Sequence, residues 1–201
     1  MVISQQSIRI IGVSDEIAQR WIDELQAPHR HYHTLAHISH ILSHYAEIGG
    51  DDPAILAAAW LHDIRYDATR GDNEEVSAEI ATHDLLGTKV DIPLVVDIIL
   101  DTKLHAGGTP ERDLFSDLDL LILGSKQITY MDYARAIRRE YSFVPLDVYA
   151  TKRAEVMRTF NEKQIFRTDH FKSLEKDAHR NLQMEIELLE RDPNLIEVIP
   201  K

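Results

Sequence analysis

Histidine and carboxylate residues gather at three places where they could bind a metal ion. The first is the run PHRHYHTLAHISH over residues 28–40, the second is the pair His62-Asp63, and the third is SDLDLLILG, with Asp117 and Asp119. The chain has no cysteine, so imidazole nitrogens and carboxylate oxygens are the ligands that remain. Such a set suits Zn, Mn, Fe, Co or Ni, and it suits Mg where oxygen ligands dominate.

Four histidines in the first run share one face of a predicted helix. Their spacings of three and four residues place His33, His37, His40 and His44 on that face. His37 lies among apolar residues, so its side chain is expected to point partly toward the core. The other three also fit a solvated polar stripe, and we expect most of the four to be of this kind.

The pair His62-Asp63 follows the apolar sequence AAAWL at the end of a predicted helix. Adjacent helical residues diverge by about 100°, so both side chains reach one ion only at the end of a helix. A buried, ionised Asp63 then needs a cationic partner nearby. The alternative is an ordinary histidine at a helix end, followed by an aspartate that caps the loop.

The third place offers two carboxylates two residues apart, which face different directions on a helix. Asp119 lies in the apolar sequence LDLLIL, and we favour it over Asp117 as the buried carboxylate, which would need a cation or several hydrogen-bond donors. In the alternative interpretation, both residues are surface positions that precede the apolar run.

Composition limits the classes of protein and of partner. The chain has 201 residues, of which 44% are apolar and 28% charged, as in a soluble globular domain. Its net charge of −12 repels long nucleic acids and anionic membranes. The longest apolar run, 54–61, is too short to span a bilayer, and the first ten residues do not resemble a secretory signal. The lack of cysteine fits a reducing compartment, so we expect a cytoplasmic protein.

The elements that must position these residues are helices. We predict an all-α fold of eight or nine helices in a single compact domain over 1–201, with a core at 14–125 on which the helices of 126–190 pack. Only IRIIGV, in the first dozen residues, suggests a strand. Residues 64–72 are predicted as a loop, and the apolar stripes in 130–190 could serve the core or a homodimer. Ser14, Thr34 and Asp52-Pro53 are helix-start signals, and further helices are predicted over 72–87, from 91, and over 114–123, 129–140, 145–164 and 168–190.

The chain resembles the HD-domain superfamily of metal-dependent phosphohydrolases, and most closely a bacterial group of predicted HD-superfamily hydrolases of unknown substrate. The matching residues are His37, His62-Asp63 and Asp119. The resemblance extends nearly over the whole chain, through the motifs RHYHTLAHI, AAAWLHDIRYD, DNEEVSAEI, DTKLH, SDLDLLILG, IRREYSFVP and AHRNLQMEI.

The resemblance implies an all-α fold with a divalent ion between helices, held by His37, His62, Asp63 and Asp119. The ion (Mn, Mg, Fe, Co, Ni or Zn) would lower the pKa of a bound water and polarise the phosphoryl group. Asp63 would orient or deprotonate the attacking water. The sequence Tyr32-His33 is also similar to cyclic-nucleotide phosphodiesterases, in which the earlier histidine is the general acid, but Thr34 stands where they usually have Asn.

Further candidates follow from charge and position. Asn73 and Glu74 begin the helix after loop 64–72, where they could act on the water or the substrate, or simply stabilise the helix start. In an acidic protein, local cations are needed to admit an anionic substrate. Arg139, Arg153 and Arg180 are expected instead to pair with the acidic helices. The candidates for contact with phosphate are Arg30, Arg65, Lys103 and His105.

The leading hypothesis is a metal-dependent phosphohydrolase that acts on a small phosphorylated molecule or nucleotide. A regulatory or ligand-binding HD domain with little catalysis is the alternative. A third interpretation is a structural or partner protein whose histidines are merely polar; it predicts no tight metal binding and small effects on replacing Asp63.

Overall fold

In a computed structural model, which describes residues 2–196 except for the side chains of Val2, Ile3 and Leu195, the predicted all-α fold is confirmed. The described residues form ten α-helices, three short 3₁₀ segments and no strand. The helices are α1 Val2–Ile11, α2 Asp15–Leu25, α3 Leu35–Glu47, α4 Pro53–Leu61, α5 Asn73–Asp84, α6 Ile92–Asp101, α7 Pro110–Asp119, α8 Gln127–Glu140, α9 Leu146–Asn161 and α10 Glu175–Arg191. The 3₁₀ segments are Leu120–Gly124, Lys172–Leu174 and Pro193–Ile196.

The N-terminal segment is helix α1, so the predicted strand is wrong and the helix count exceeds eight or nine. Ser7 and Ile11, one helical turn apart, are 2% and 1% exposed, which places one face of α1 in the core. The Trp60 indole donates a hydrogen bond of 2.9 Å to the Ser7 hydroxyl. Burial of this face outweighs the strand preference of the isoleucines, because propensity is weaker than tertiary packing.

The predicted helix-start signals at Ser14, Thr34 and Asp52 are confirmed by side-chain caps. Ser14, Thr34 and Asp52 each accept a hydrogen bond from a backbone amide in the first turn of α2, α3 and α4. Asp72 precedes α5 but makes no such bond, since its carboxylate pairs with Arg70. These caps supply acceptors for amides that have no partner within the helix.

Two predicted helices differ most from the structure in their boundaries. The segment predicted as one helix over 114–123 is divided into α7 and the 3₁₀ segment Leu120–Gly124. The last helix begins at Glu175, after the 3₁₀ segment Lys172–Leu174, rather than at Thr168. The carboxylate of Glu175, the first residue of α10, accepts hydrogen bonds from the amides of Ile165 and Phe166, which precede the helix. Such tertiary bonds decide where the helix starts, and no local pattern reports them.

Helix α4 is the central element of the N-terminal part. Every residue from Ala54 to Leu61 is buried, and α4 packs against α1, α3, α5 and α6. A helix that is apolar on all sides belongs in a core. None of the helices within residues 2–196 combines the length and apolar character required to cross a bilayer. The burial of α4 places its last residues, and the His62-Asp63 pair after them, inside the protein.

The chain divides into two compact units, Met1–Leu118 and Asp119–Lys201. The boundary falls at the last residue of α7 and lies seven residues before the predicted limit of the core at 125. In the first unit, Trp21 and Trp60 are fully buried and their rings lie 6.1 Å apart. In the second unit, α9 packs along α10, and Ala134, Tyr149 and Leu189 belong to one apolar cluster.

Asp84 is a buried carboxylate that joins α5 to α2. It accepts a hydrogen bond of 2.8 Å from the Trp21 indole, and Arg20 and His83 contact its other oxygen at 2.5 and 3.0 Å. Burial by itself raises the pKa of this carboxyl, but the bonds from His83, Trp21 and Arg20 outweigh it and hold the pKa below its ordinary value. The ionised form therefore stabilises the first unit.

We expect Asp84→Asn to lower the free energy of unfolding at pH 7 by about 1–3 kcal/mol, since a charged acceptor is lost. Folding lowers the pKa of the Asp84 carboxyl. The ionised group therefore stabilises the fold above the pKa of the unfolded state, and this contribution disappears as the pH falls toward the pKa of the folded state. Urea unfolding at pH 7 and pH 3 should show the two proteins converging in acid. Asp51→Asn, at an exposed carboxylate, is the control, and an equal deficit at both pH values would contradict the assignment.

Candidate metal centre

The imidazoles of His37 and His62 meet in the interior of the first unit. Their exposed fractions are 5% and 2%, and their Nε2 atoms lie 3.2 Å apart. His37 is the one fully buried histidine of the predicted stripe. His40 is exposed with its ring 4.4 Å from that of His44, which itself contacts Glu47 at 2.9 Å. The expectation that most of these histidines are solvated is confirmed for His40, whereas His44 is half-buried.

His62 is held in the tautomer that a metal ligand needs. Its Nδ1 lies 3.1 Å from the carbonyl oxygen of Ala59 and 3.3 Å from that of Ala58. Carbonyl oxygens only accept hydrogen bonds, so Nδ1 carries the proton and the Nε2 lone pair points toward His37. The Phe115 ring packs edge-on against the imidazole, with 5.4 Å between ring centroids, and fixes its plane.

Asp63 reaches the same point as the two imidazoles. Its Oδ2 lies 2.9 Å from His62 Nε2 and 3.8 Å from His37 Nε2, and its side chain is 20% exposed. The prediction that adjacent His and Asp side chains converge only at a helix end agrees with this geometry, because α4 ends at Leu61. Two imidazole nitrogens thus lie beside the Asp63 carboxylate, and the cationic partner expected for this carboxylate stays a prediction.

Asp119 completes the group as the last residue of α7. Ligand atoms of His37, His62 and Asp119 all lie within 4.8 Å of one another. Asp119 follows Phe115 by one helical turn, so the helix directs both side chains to the same side, toward His62. The expectation that Asp119 is the buried carboxylate is wrong, since Asp117 is fully buried and Asp119 is half-buried. Its partial exposure suits a ligand with access to solvent.

The donor set and its spacing fit a divalent ion. Two nitrogens about 2.1 Å from one ion lie about 3.0 Å apart at right angles and about 3.4 Å apart at the tetrahedral angle. The observed separation of 3.2 Å between the Nε2 atoms lies between these values. Two imidazoles and two carboxylates form a mixed nitrogen and oxygen set that suits Mn, Fe, Co, Ni and Zn. The residues can therefore hold the ion that the sequence predicts.

Arg30 is buried and forms hydrogen bonds with the backbone next to this centre. Its side chain donates to the carbonyl oxygens of His33, Asp63 and Ile64 at 2.9, 2.7 and 2.8 Å, and the residue is 5% exposed. The guanidinium thus ties the segment before α3 to the turn after α4. This arrangement favours a positioning role for Arg30 over the predicted contact with phosphate.

His33, the predicted general acid, stands beside the centre on an aromatic stack. Its ring lies 4.0 Å from that of Tyr66 and 6.2 Å from that of His37, and it is half-buried. Tyr66, which the sequence does not indicate as a site residue, also lies under the Arg30 guanidinium, whose carbon is 5.8 Å from the centre of the ring. The motif AAAWLHDIRYD contained this tyrosine, but no spacing rule connects it to His33.

The loop after Asp63 is held by the residues that begin α5. The Asn73 amide accepts from the Asp67 backbone N–H at 3.1 Å and donates to the Asp67 carbonyl at 3.0 Å. Both ends of the amide are engaged, which favours a structural role over substrate contact.

The Arg65 side chain is exposed and borders a cavity of about 430 Å³. The cavity is also lined by Arg20, Trp21, Glu24, Ile64, Glu79, Ile80, His83 and Asp84.

Lys103 is neutralised by acidic neighbours on α5. Its Nζ donates to the Gly71 carbonyl at 2.7 Å and to Glu75 at 2.5 Å, and it lies 3.6 Å from Glu74. The hydrogen bond that Lys103 donates to Glu75 in particular raises the pKa of Lys103. Glu74 is half-buried beside this ammonium group. A contact between Lys103 and phosphate would require exchange of these partners, and it stays a prediction together with the catalytic role of Glu74.

His105 occupies a strained position in the loop before α7. Its φ of 47° lies in the left-handed region that residues other than glycine seldom adopt. The Asp101 carboxylate stabilises the turn by accepting the amide of Gly107 at 3.1 Å. His105 Nδ1 lies 3.1 Å from the Ser116 hydroxyl on α7. The ring is thus held against the helix that carries Asp119, and its contact with substrate stays a prediction.

Arg30→Met should lower the free energy of unfolding by about 2–4 kcal/mol, because three carbonyl groups lose a charged donor. It should also weaken metal binding by about 10- to 100-fold, as expected for a residue that orients ligands. Urea unfolding and metal titration measure both effects, and Arg65→Met is the control at an exposed arginine. A stable variant with an altered KM alone would instead assign Arg30 to the substrate.

Asp119→Asn should weaken binding of a divalent ion by more than about 100-fold while it leaves the melting temperature of the metal-free protein nearly unchanged. Asp117→Asn, at the fully buried neighbour, should lower that temperature and retain metal binding. Metal titration and thermal unfolding of both variants check the assignment. Loss of metal binding in the Asp117 variant alone would reverse it.

No protein-family model matches the chain, and no curated protein or solved structure matches it. The resemblance to the HD-domain superfamily thus rests on the motifs quoted above.

Proposed function

We propose that the protein is a metal-dependent phosphohydrolase that acts on a small phosphate ester. The observation that supports this proposal is the convergence of four side chains, His37, His62, Asp63 and Asp119, from α3, the end of α4 and α7. A divalent ion bound there would polarise a phosphoryl oxygen and activate water near neutral pH.

The side chains around this point have complementary tasks. His62 keeps its Nε2 lone pair directed inward because its Nδ1 donates to the end of α4. Asp63, at 20% exposure, is placed to orient the attacking water and accept its proton. His33, stacked on Tyr66, is the group that returns a proton to the leaving oxygen. The hydrophobic Phe115 ring limits access of bulk water to the His62 side.

The size and charge of the substrate follow from the surface. A net charge of −12 opposes the approach of a polyanion, whereas a small phosphate ester carries few charges and diffuses to a local cation. We therefore propose nucleotides and phosphorylated metabolites as the substrate class. Long nucleic acids are excluded from the proposal on this ground.

The test compares His37→Gln with His44→Gln, two histidines on α3 of which only the first belongs to the proposed centre. We expect the wild type to retain about one divalent ion per chain after desalting and to release phosphate from a panel of nucleotides and sugar phosphates. His37→Gln should lose both properties, because it removes a direct ligand, and His44→Gln should keep both. Elemental analysis and phosphate release are the measurements.

Two results would contradict the proposal. One is a wild-type protein that neither binds Mn, Co, Ni, Fe, Zn or Mg nor releases phosphate when each is added. The other is metal-dependent binding of a nucleotide without turnover, which would favour the regulatory or ligand-binding alternative.

A further inference from the structure

His40 and His44 form a pair of imidazoles near the C-terminal end of α3, outside the candidate metal centre. Four residues separate them, so they lie one helical turn apart on the same side of the helix. Their ring centroids are 4.4 Å apart, and the planes of the rings meet at 79°. His40 is exposed, and 34% of the His44 side chain is accessible to solvent. Both rings can therefore meet an ion that arrives from solvent.

A carboxylate orients the His44 ring. Glu47, the last residue of α3, places its Oε2 atom 2.9 Å from His44 Nδ1. A carboxylate only accepts hydrogen bonds, so in the neutral imidazole Nδ1 carries the proton and Nε2 carries the lone pair. A carboxylate behind the outer nitrogen is the arrangement found at histidines that bind metals, because it fixes the ring and raises the basicity of the ligating nitrogen. His44 thus has the tautomer of a metal ligand.

The His40 ring supplies the second nitrogen. Within residues 2–196, this ring forms no hydrogen bond and no ion pair, so its nitrogens are available to a ligand. Two histidines at positions i and i+4 of a helix bind zinc through one face of that helix, which is the spacing observed here. The negative end of the helix dipole also lies in the last turn of α3, where His44 stands, and it favours a bound cation.

The pair is separate from the candidate centre. His37, the α3 residue of that centre, is 5% exposed, and its Nε2 lies 3.2 Å from His62 Nε2. The centre brings together four side chains, whereas the pair offers two nitrogens at the surface and leaves the other positions of an ion to water. An ion held by the pair is therefore bound more weakly and exchanges with solvent. Desalting should remove it and leave an ion held by the centre.

We propose that His40 and His44 form a second metal site, at the surface of α3, and that Glu47 positions the His44 ring. The ligand class is a late first-row divalent ion, Ni²⁺, Cu²⁺ or Zn²⁺, because neutral imidazoles favour these ions over Mn²⁺ and Mg²⁺. This inference goes beyond the proposed function and does not depend on it, since it requires neither phosphate nor turnover.

The test is a calorimetric titration of the full chain with Zn²⁺, after the protein has been loaded with Zn²⁺ and desalted. We expect about one additional ion per chain. His40→Gln and His44→Gln should each weaken binding of this ion by about 10-fold or more, because a single imidazole remains. Both variants should keep an ion that survives desalting, since neither removes a ligand of the centre.

His83→Gln is the matched control. His83 also lies on a helix with its Nδ1 beside a carboxylate, that of Asp84, at 3.0 Å, but no histidine stands four residues from it. The variant should leave the affinity for the additional ion unchanged. Titration with Mn²⁺ in place of Zn²⁺ should show weaker binding at the pair, as expected for nitrogen ligands.

Glu47→Ala tests the positioning role of Glu47. We expect it to weaken binding of the additional ion by about 10-fold, since the carboxylate no longer orients the imidazole. Nitrogen-15 NMR of the histidine rings gives a readout that a merely structural role would not change. It should show the proton of His44 on Nδ1 in the wild type and distributed over both nitrogens in the variant.

Two results would overturn the inference. One is the absence of any additional Zn²⁺ in the wild type. The other is an additional ion that the His40 and His44 variants bind as well as the wild type does, or that His83→Gln weakens equally. The proposed function is tested separately, because a protein without phosphate release or without an ion at the centre can still bind Zn²⁺ through His40 and His44.

Discussion

The buried guanidinium of Arg30 is the interaction on which the candidate centre depends. A charge enclosed in the core costs several kcal/mol unless hydrogen bonds offset the loss of water, and here carbonyls from two separate segments accept from Nη1 and Nη2 of the guanidinium. One segment leads into α3 with His37, and the other contains Asp63 and Ile64. Apolar contacts between α3 and α4 are not directional, whereas hydrogen bonds are. The hydrogen bonds of Arg30 therefore set the relative position of the two segments.

The end of α4 serves the centre in a second way. The last turn of any helix leaves carbonyl groups without intrahelical partners. In this protein the Ala59 carbonyl accepts a hydrogen bond from His62 Nδ1. A carbonyl group that has no partner within the helix therefore sets the tautomer of the imidazole. The same termination lets Asp63 turn back toward His62 Nε2 instead of diverging from it. The end of α4 therefore decides both the tautomer of His62 and the position of the Asp63 carboxylate.

Charge in the interior is balanced by pairing, in a chain that carries a net charge of −12. Asp84 pairs with Arg20, Asp101 with Arg112, and Glu185 with Arg153. The carboxylate of each pair is buried, so removal of its arginine would leave a costly charge behind.

The sequence by itself determined the helical class, the caps at Ser14, Thr34 and Asp52, and the short group of side chains from which a metal centre could form. These follow from local rules, since cap residues and histidine spacing act within a few residues. The strand expected near the N-terminus, the burial of Asp117 and the start of α10 were decided by tertiary contacts. The engagement of Arg30 with carbonyls and the pairing of Arg153 with Glu185 were decided in the same way, because hydrogen bonds between residues 30 or more positions apart leave no periodic trace in the sequence.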